Sequence, residues 1–424
     1  MFSGLPPSKT LSPSEIRKVG FGGGRITVGV HGTKATFEEL FAAYPLKLLS
    51  PRAYERAVAI VYLLSYGGGL VAGDRVELDV ELKDGCKLLV LSQGSTKVFK
   101  TRPGQRLASI KNFIEKATTS SDDSLTTQRI RYTVHPKSCL FLLPDPVTCF
   151  RSASYDQIQT FHIAPDASVV ILDWLTSGRK ALDEEWVFTR YYSENEVYIG
   201  GKRWVRDVML LEADAEGHSN DMSLGPLPRR SLGERLSPYS CYAMVILYGS
   251  QVQTIIDNLR ARFEAITVFK RRVPEDLLWS FSPIGVPGLE GSAGAAAKGA
   301  VVRVAGKETE QVKGWLKEAL RGLEGAVGVD VYRRAFRHRP ISESPKVRFL
   351  VAYYRLTLSV LGLRKNAYYG LGLRLSEAYH PANSASIGPM RVDSGNRTFD
   401  VGMHDTIIGF FSGGLRSHWL DISS

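Results

Sequence analysis

The chain has 424 residues, enough for a large core, and its 44% hydrophobic and 23% charged content is that of an ordinary globular protein. That composition excludes a mainly disordered chain, and no stretch gives the ~18 uninterrupted apolar residues of a membrane span. The formal charge of +11 is spread thinly, with one short cluster at Arg333, Arg334, Arg337, His338 and Arg339, so nucleic-acid binding would rest on charge alone and a protein partner is expected instead. Residues 1–19 read as a flexible N-terminus without the apolar stretch of a signal sequence. Cys86, Cys139, Cys149 and Cys241 show no CxxC pairing, which points to buried thiols in a reducing, cytoplasmic setting.

Residues 20–336 read as one β-rich body. Val76, Leu78, Val80 and Leu82 alternate with Glu77, Asp79 and Glu81, the period of two that a strand with one buried face requires. Asp84 and Gly85 make a turn, and residues 87–100 return as a strand. Further strands are expected at 107–114, 130–135, 140–150, 168–175, 186–192, 197–199 and 205–211. Polar or Gly-rich stretches at 117–128, 213–238 and 284–299 read as surface insertions or loops. Two amphipathic helices follow, one through Val252, Ile255, Ile256, Leu259 and Phe263, the other through Val312, Trp315, Leu316, Ala319 and Leu320. They are expected to pack against the end of the β region. Residues 337–424 form a C-terminal extension of unknown role.

No catalytic constellation emerges. The run from Gly67 to Asp74 is glycine-rich, but an alternating strand follows it, so no helix N-terminus is available to hold a phosphate. Gly68, Gly69 and Gly73 therefore read as a structural turn. Ser92-Gln93-Gly94-Ser95 lies within a β pattern and makes no nucleophile elbow. His135 and Cys139, on one regular strand, would stand ~13 Å apart and could not chelate one metal. Two carboxylates are out of place. Asp74 shares the parity of Val76 to Leu82, so it points inward, and Asp173 sits in a strand apolar on both faces. Each needs a partner, a turn-capping role or a water-filled cavity.

The stretch VYLLSYGGGLVAGDRVELDVELKDGCKLLVLSQGSTKVFK resembles the signature block of the UreD/UreH urease accessory proteins. Tyr44 to Leu48, Leu143 to Phe150 and Ile171 to Arg179 (ILDWLTSGR) agree with further blocks of that family in order and spacing. The resemblance covers residues 20 to 336. It implies a mainly β, β-helix-like body of stacked sheets with two α-helices near its C-terminal end, and a non-catalytic scaffold for urease maturation. It also implies a UreF-type helical accessory protein, a UreG-type GTPase and apo-urease as partners, the two late helices contributing to that interface. Nickel would pass through an internal tunnel, as Ni2+ in transit with no tightly bound cofactor and no fixed chelating site. Asp74 and Asp173 fall on acidic positions implicated in that route. Asp145 does not: it is shifted by one residue from the family's carboxylate, which on a strand is the opposite face. Isolated oxygen donors suit a conduit, since an ion held too well would not leave. The rival reading is a β-helix-type carbohydrate-active enzyme with paired carboxylates in an open cleft.

Overall fold

The computed structural model describes residues 20–100, 125–213, 230–266, 275–285, 299–336, 390–394 and 397–401. The chain divides into two compact units at Arg337/His338. In the C-terminal unit, Met390–Ser394 pairs antiparallel with Arg397–Val401. The rest of that extension, the N-terminal 19 residues and the strand expected at 107–114 lie outside the described residues.

In chain order the strands of the body are β1 (Gly23–His31), β2 (Lys34–Ala42), β3 (Leu46–Leu49), β4 (Val58–Ser65), β5 (Arg75–Leu82), β6 (Lys87–Ser92) and β7 (Thr96–Val98). They continue with β8 (Thr126–Val134), β9 (Cys139–Leu142), β10 (Val147–Cys149), β11 (Ser154–Ile163) and β12 (Ser168–Thr176). After the short pair β13 (Gly178–Arg179) and β14 (Glu184–Glu185) come β15 (Arg190–Ile199), β16 (Lys202–Glu212), β17 (Cys241–Tyr248), β18 (Leu277–Ile284) and β19 (Gly299–Gly306). The class is mainly β, as expected. One sheet runs β16-β15-β11-β8-β5-β1-β2 and the other β18-β19-β17-β12-β9-β6-β4-β3, with β7 and β10 alongside β12.

From β4 to β12 the chain alternates between these sheets. In the first sheet β1, β5, β8, β11 and β15 pair in parallel, each with the next. In the second, β4, β6, β9 and β12 do the same. Parallel neighbours cannot be joined by a tight hairpin. Here the crossover is a strand of the opposite sheet, where many parallel sheets use a helix.

Three layers result. Between the sheets lies a core of inward residues such as Val76, Leu78, Val80 and Leu82 from β5 and Val169, Ile171 and Leu175 from β12. On the far side of the second sheet, Val170, Leu172 and Trp174 meet the helices Gln253–Glu264 and Thr309–Ala319. Those are the two expected helices, but they cover a face of the sheet, not its end. A second apolar face is what makes β12 read as apolar on both sides. Ile255, Ile256, Leu259, Val312, Leu316 and Ala319 are all consumed by that contact. Shorter helices at Leu232–Leu236, Glu324–Val327 and Val329–Ala335 add to the two expected.

Local differences from the expected elements have local causes. The strand over 87–100 is cut by a turn in which Gly94 takes φ +84°. Pro144 and Pro146 split the strand over 140–150, because proline cannot donate to a ladder. The expected strands 186–192 and 197–199 are one strand from Arg190 to Ile199, whose polar Ser193, Glu194 and Asn195 hide its continuity. Thr126 and Thr127, expected in a surface insertion, open β8. Within the expected loop 213–238, Leu232–Leu236 is helical, with Ser231 and Glu234 forming a reciprocal capping box.

All four cysteines are buried and free. Burial pushes the thiols of Cys86 and Cys139 up to about 11 and that of Cys241 to about 12, with Cys149 higher still. A thiol so far from its thiolate is inert. A disulfide reagent at neutral pH should therefore label none of them until denaturant is added; rapid labelling of the folded chain would contradict this packing.

Candidate functional site

A cavity of about 110 Å3 lies between the two sheets. An ordered water needs about 10–15 Å3 of such space, so there is room for several. One end reaches the surface through Ser65, Gly68, the Ser92–Thr96 segment and Asp145. Apolar side chains such as Val76, Val90, Ile130 and Leu142 form part of the wall. The inner end is polar, with Gln128, Tyr132, Gln157, Gln159 and Asp173. Tyr132 is fully buried and stacks on Phe161 at 4.7 Å, yet its hydroxyl has no hydrogen-bond partner among the described residues. A buried hydroxyl is costly to leave unmet, and the cavity beside it has room for a water to meet it.

Asp173 sits at the inner end because β12 alternates: Ile171, Asp173 and Leu175 share the face toward the first sheet. Its Oδ1 accepts from Gln157 Nε2 (3.1 Å), and its Oδ2 accepts from Ser193 Oγ (2.5 Å) and Asn195 Nδ2 (2.7 Å). All three donors are uncharged. Burial raises the carboxyl above its ordinary range, the three donors pull it back, and the charge of Asp207 pushes it up again. Gln159 in turn donates to Asn195 Oδ1 (3.0 Å). The result is a carboxyl group that is oriented by neutral donors and faces the cavity.

Asp74 does point inward, at 6% exposure, as its parity requires. Its Oδ2 accepts the Val71 N–H (2.8 Å), while its own N–H donates to Val71 O (2.9 Å). It caps the turn that launches β5, and it is not among the residues lining the cavity. The two carboxylates that the enzyme alternative would pair therefore do not share a cleft.

Asp145, set aside on strand parity, does line the cavity. Residues 143–146 have left the strand, so alternation no longer governs them. Its Oδ2 accepts the Gly94 N–H (2.9 Å), and Lys313 approaches Oδ1 at 3.1 Å. His135 lies just past the end of β8 and Cys139 opens β9, with a turn through Lys137 at φ +58° between them, and His135 Nε2 lies 3.1 Å from Glu81. No group of three or more His, Cys, Asp or Glu among the described residues is placed to hold a metal.

The glycine turn has separate causes at each position. Gly67, Gly68 and Gly73 take φ of +74°, +81° and +75°, which L side chains rarely adopt. Gly69 is extended, but a Cβ there would meet Phe99 Cε2 at 2.4 Å and Lys97 O at 2.6 Å. The Ser92–Ser95 segment, no nucleophile elbow, serves as a wall of the cavity mouth.

Residues 22–337 match the model of the UreD urease accessory protein family. The chain belongs to that family. "Urease accessory protein 4" of Cryptococcus neoformans is 38% identical over 325 residues, covering 74% of this chain and 94% of that protein. "Urease accessory protein D" of Arabidopsis thaliana is 31% identical over 331 residues (73% and 99%), and "Urease accessory protein UreD" of Sorangium cellulosum 32% over 304 residues (71% and 80%).

The Gly-Arg end of the UreD-like ILDWLTSGR block is structural here. Arg179 bonds Glu184 Oε2 through Nε (2.7 Å) and Nη2 (2.6 Å) and lies 4.3 Å over the Phe150 ring. That fork holds the Glu184 carboxyl below its usual range. The residues not foreseen in this UreD-family site are Gln157, Gln159, Ser193 and Asn195. Their signal was available: each stands at the core parity of its strand, between Tyr155 and Phe161 or between Tyr191 and Val197. A polar side chain at a core position of a period-two pattern marks a buried network.

Proposed function

We propose that this UreD-family chain is a scaffold of urease maturation, with no catalysis of its own, and that its inter-sheet cavity is part of a passage for nickel. The supporting observation is Asp173: a half-buried carboxylate, held by three neutral donors, at the inner end of a cavity with room for several waters and open to the surface. A structural salt bridge would have placed a cation there. An oriented carboxylate with amide and hydroxyl oxygens nearby offers a divalent ion a few hard donors, too few for a cage. We read the winding of parallel strands between two sheets as the β-helix-like coil that leaves room for such a passage. Asp145 belongs to its mouth. Asp74 serves the route only indirectly, by holding the turn beside Gly68.

The partners in this reading are apo-urease, a UreF-type accessory protein and a UreG-type GTPase, in the cytoplasm. No helix among the described residues is long and apolar enough to cross a membrane. With the apolar faces of its two main helices buried, the chain meets partners through their polar faces and the edges of its sheets. The deciding experiment is co-purification with tagged apo-urease, coupled to urease activation in a strain lacking this chain. A stable complex and restored activation are expected. Full activation without the chain, or no association with apo-urease, would overturn the reading.

A further inference from the structure

The cavity ends at Asp173, but the line of polar side chains between the sheets does not. In the first sheet Asn195, fully buried, stands opposite Asp207 of the edge strand β16. Asp207 has the parity of Val205, Met209 and Leu211, which pack on the inter-sheet core, so its carboxylate points inward from the edge strand. In the second sheet the register runs from Asp173 to Met244 on β17 and on to Arg303 on β19. Arg303 shares the inward face with Val301, and its Nη2 reaches Asp207 Oδ1 at 2.5 Å. The two sheets thus present matching rows, Asn195 and Asp207 facing Asp173 and Arg303. Only Met244, a soft apolar side chain, separates the two charged positions of the second row.

The exposures within the end pair are unequal. Asp207 is only 15% exposed, whereas Arg303 is 55% exposed. A long cationic side chain in that position can swing into solvent without breaking the core, while the carboxylate stays. The opposite end of the polar line also carries an ion pair, Asp145 with Lys313 at the cavity mouth, but there the cation is held in place, at 13% exposure. Between the two pairs stands Asp173, whose donors are all neutral.

We propose that Asp207 is a second ion station beyond Asp173 and that Arg303 is its latch, exchanging with a divalent cation at the outer end of the passage. This rests on the passage reading above. With Arg303 in place, Asp207 is neutralised and the end is shut. With Arg303 withdrawn, Asp173 and Asp207 together carry two negative charges, the match for one divalent ion crossing between them. Return of the guanidinium then competes for Asp207 and expels the ion, so that neither station becomes a trap.

The test uses the full chain co-expressed with apo-urease and the other maturation proteins, in four variants: Asp173→Asn, Asp207→Asn, Arg303→Gln and the double Asp207→Asn/Arg303→Gln. Three quantities are read: melting of the purified complex, nickel per urease active site, and Ni2+ retained by the complex after desalting. Arg303→Gln should retain several-fold more Ni2+, because its competitor is gone. Asp207→Asn should lower urease loading several-fold. The double variant pairs two neutral amides, so it should recover the melting temperature and still under-load urease. If Asp207 and Arg303 merely staple the sheet margins, the double variant recovers both stability and loading, and retained Ni2+ never changes; that result overturns the proposal. Under-loading by Asp173→Asn with full loading by Asp207→Asn also overturns it, while leaving the passage reading intact. Full loading by Asp173→Asn would instead strike the passage reading itself.

Discussion

Asp173→Asn should leave the chain folded and leave urease about tenfold short of nickel, the lower end of what loss of a metal-orienting group costs. The three partners of Asp173 are neutral, so the substitution orphans no buried cation and the ~3–5 kcal/mol penalty of a broken ion pair does not arise. The amide keeps one acceptor oxygen, and the Ser193 hydroxyl can rotate to accept from its NH2. A cost of about 1 kcal/mol is expected, that of a single re-formed hydrogen bond. The pH dependence has a definite sign. Burial raises the Asp173 carboxyl above its value in the unfolded chain, so the folded protein holds this proton more tightly. Stability from that proton is present in acid and is lost as pH rises through the folded pKa. The melting difference between wild type and variant should therefore be larger in acid and shrink toward neutral pH. Wild-type loading should fall as acid protonates Asp173, while the residual loading of the variant stays flat over the same range. Melting of the complex and nickel per active site, measured across that range, check both statements. A variant that loads urease fully removes Asp173 from the route. One that loses complex and nickel in proportion returns it to a structural part.

The second large effect is on folding. Gly69→Ala should destabilise the body by about 3 kcal/mol, the upper end of overpacking costs. The backbone at Gly69 is extended, which any residue adopts; the obstacle is space. The new methyl would stand 2.4 Å from Phe99 Cε2 and 2.6 Å from Lys97 O. Lys97 O cannot retreat cheaply, because it accepts the Leu70 N–H (2.8 Å) while Leu70 O accepts the Phe99 N–H (2.9 Å). Pushing this segment away also moves Thr96, which lines the cavity mouth. Gly68→Ala is the control. Its φ is +81°, but a Cβ there meets nothing within 4 Å, so it should cost only the ~1–2 kcal/mol of a left-handed L-residue. Chemical denaturation of both variants tests the order; a costlier Gly68→Ala would mean that conformation, not packing, governs this turn.

Much of the molecule is written locally. Period-two alternation in β5 sets both its strand and its buried face, and it assigns Asp74 an inward direction that the structure keeps. The absence of a helix after the glycine run rules out a phosphate loop without any coordinates. The amphipathic spacing of residues 252–263 and 312–320 yields two helices, because i, i+3 and i+4 neighbours share a face whatever the fold around them. The signature blocks carry the family.

Other features depend on which strands meet. Parity says that Asp173 sits between two apolar faces, but not that β11 and β15 lie across from it with Gln157, Ser193 and Asn195. Those partners stand 16, 20 and 22 residues from Asp173 in the chain, and only sheet register aligns them. Asp145 lines the cavity because alternation stops at Leu142, where two prolines end the ladder and a loop turns the carboxylate to the cavity mouth. Asp74 and Asp173 look alike in sequence, each a carboxylate among apolar neighbours, yet one caps its own turn and the other lines the cavity. Burial direction is a property of the strand. What a buried charge meets is decided by the opposite sheet.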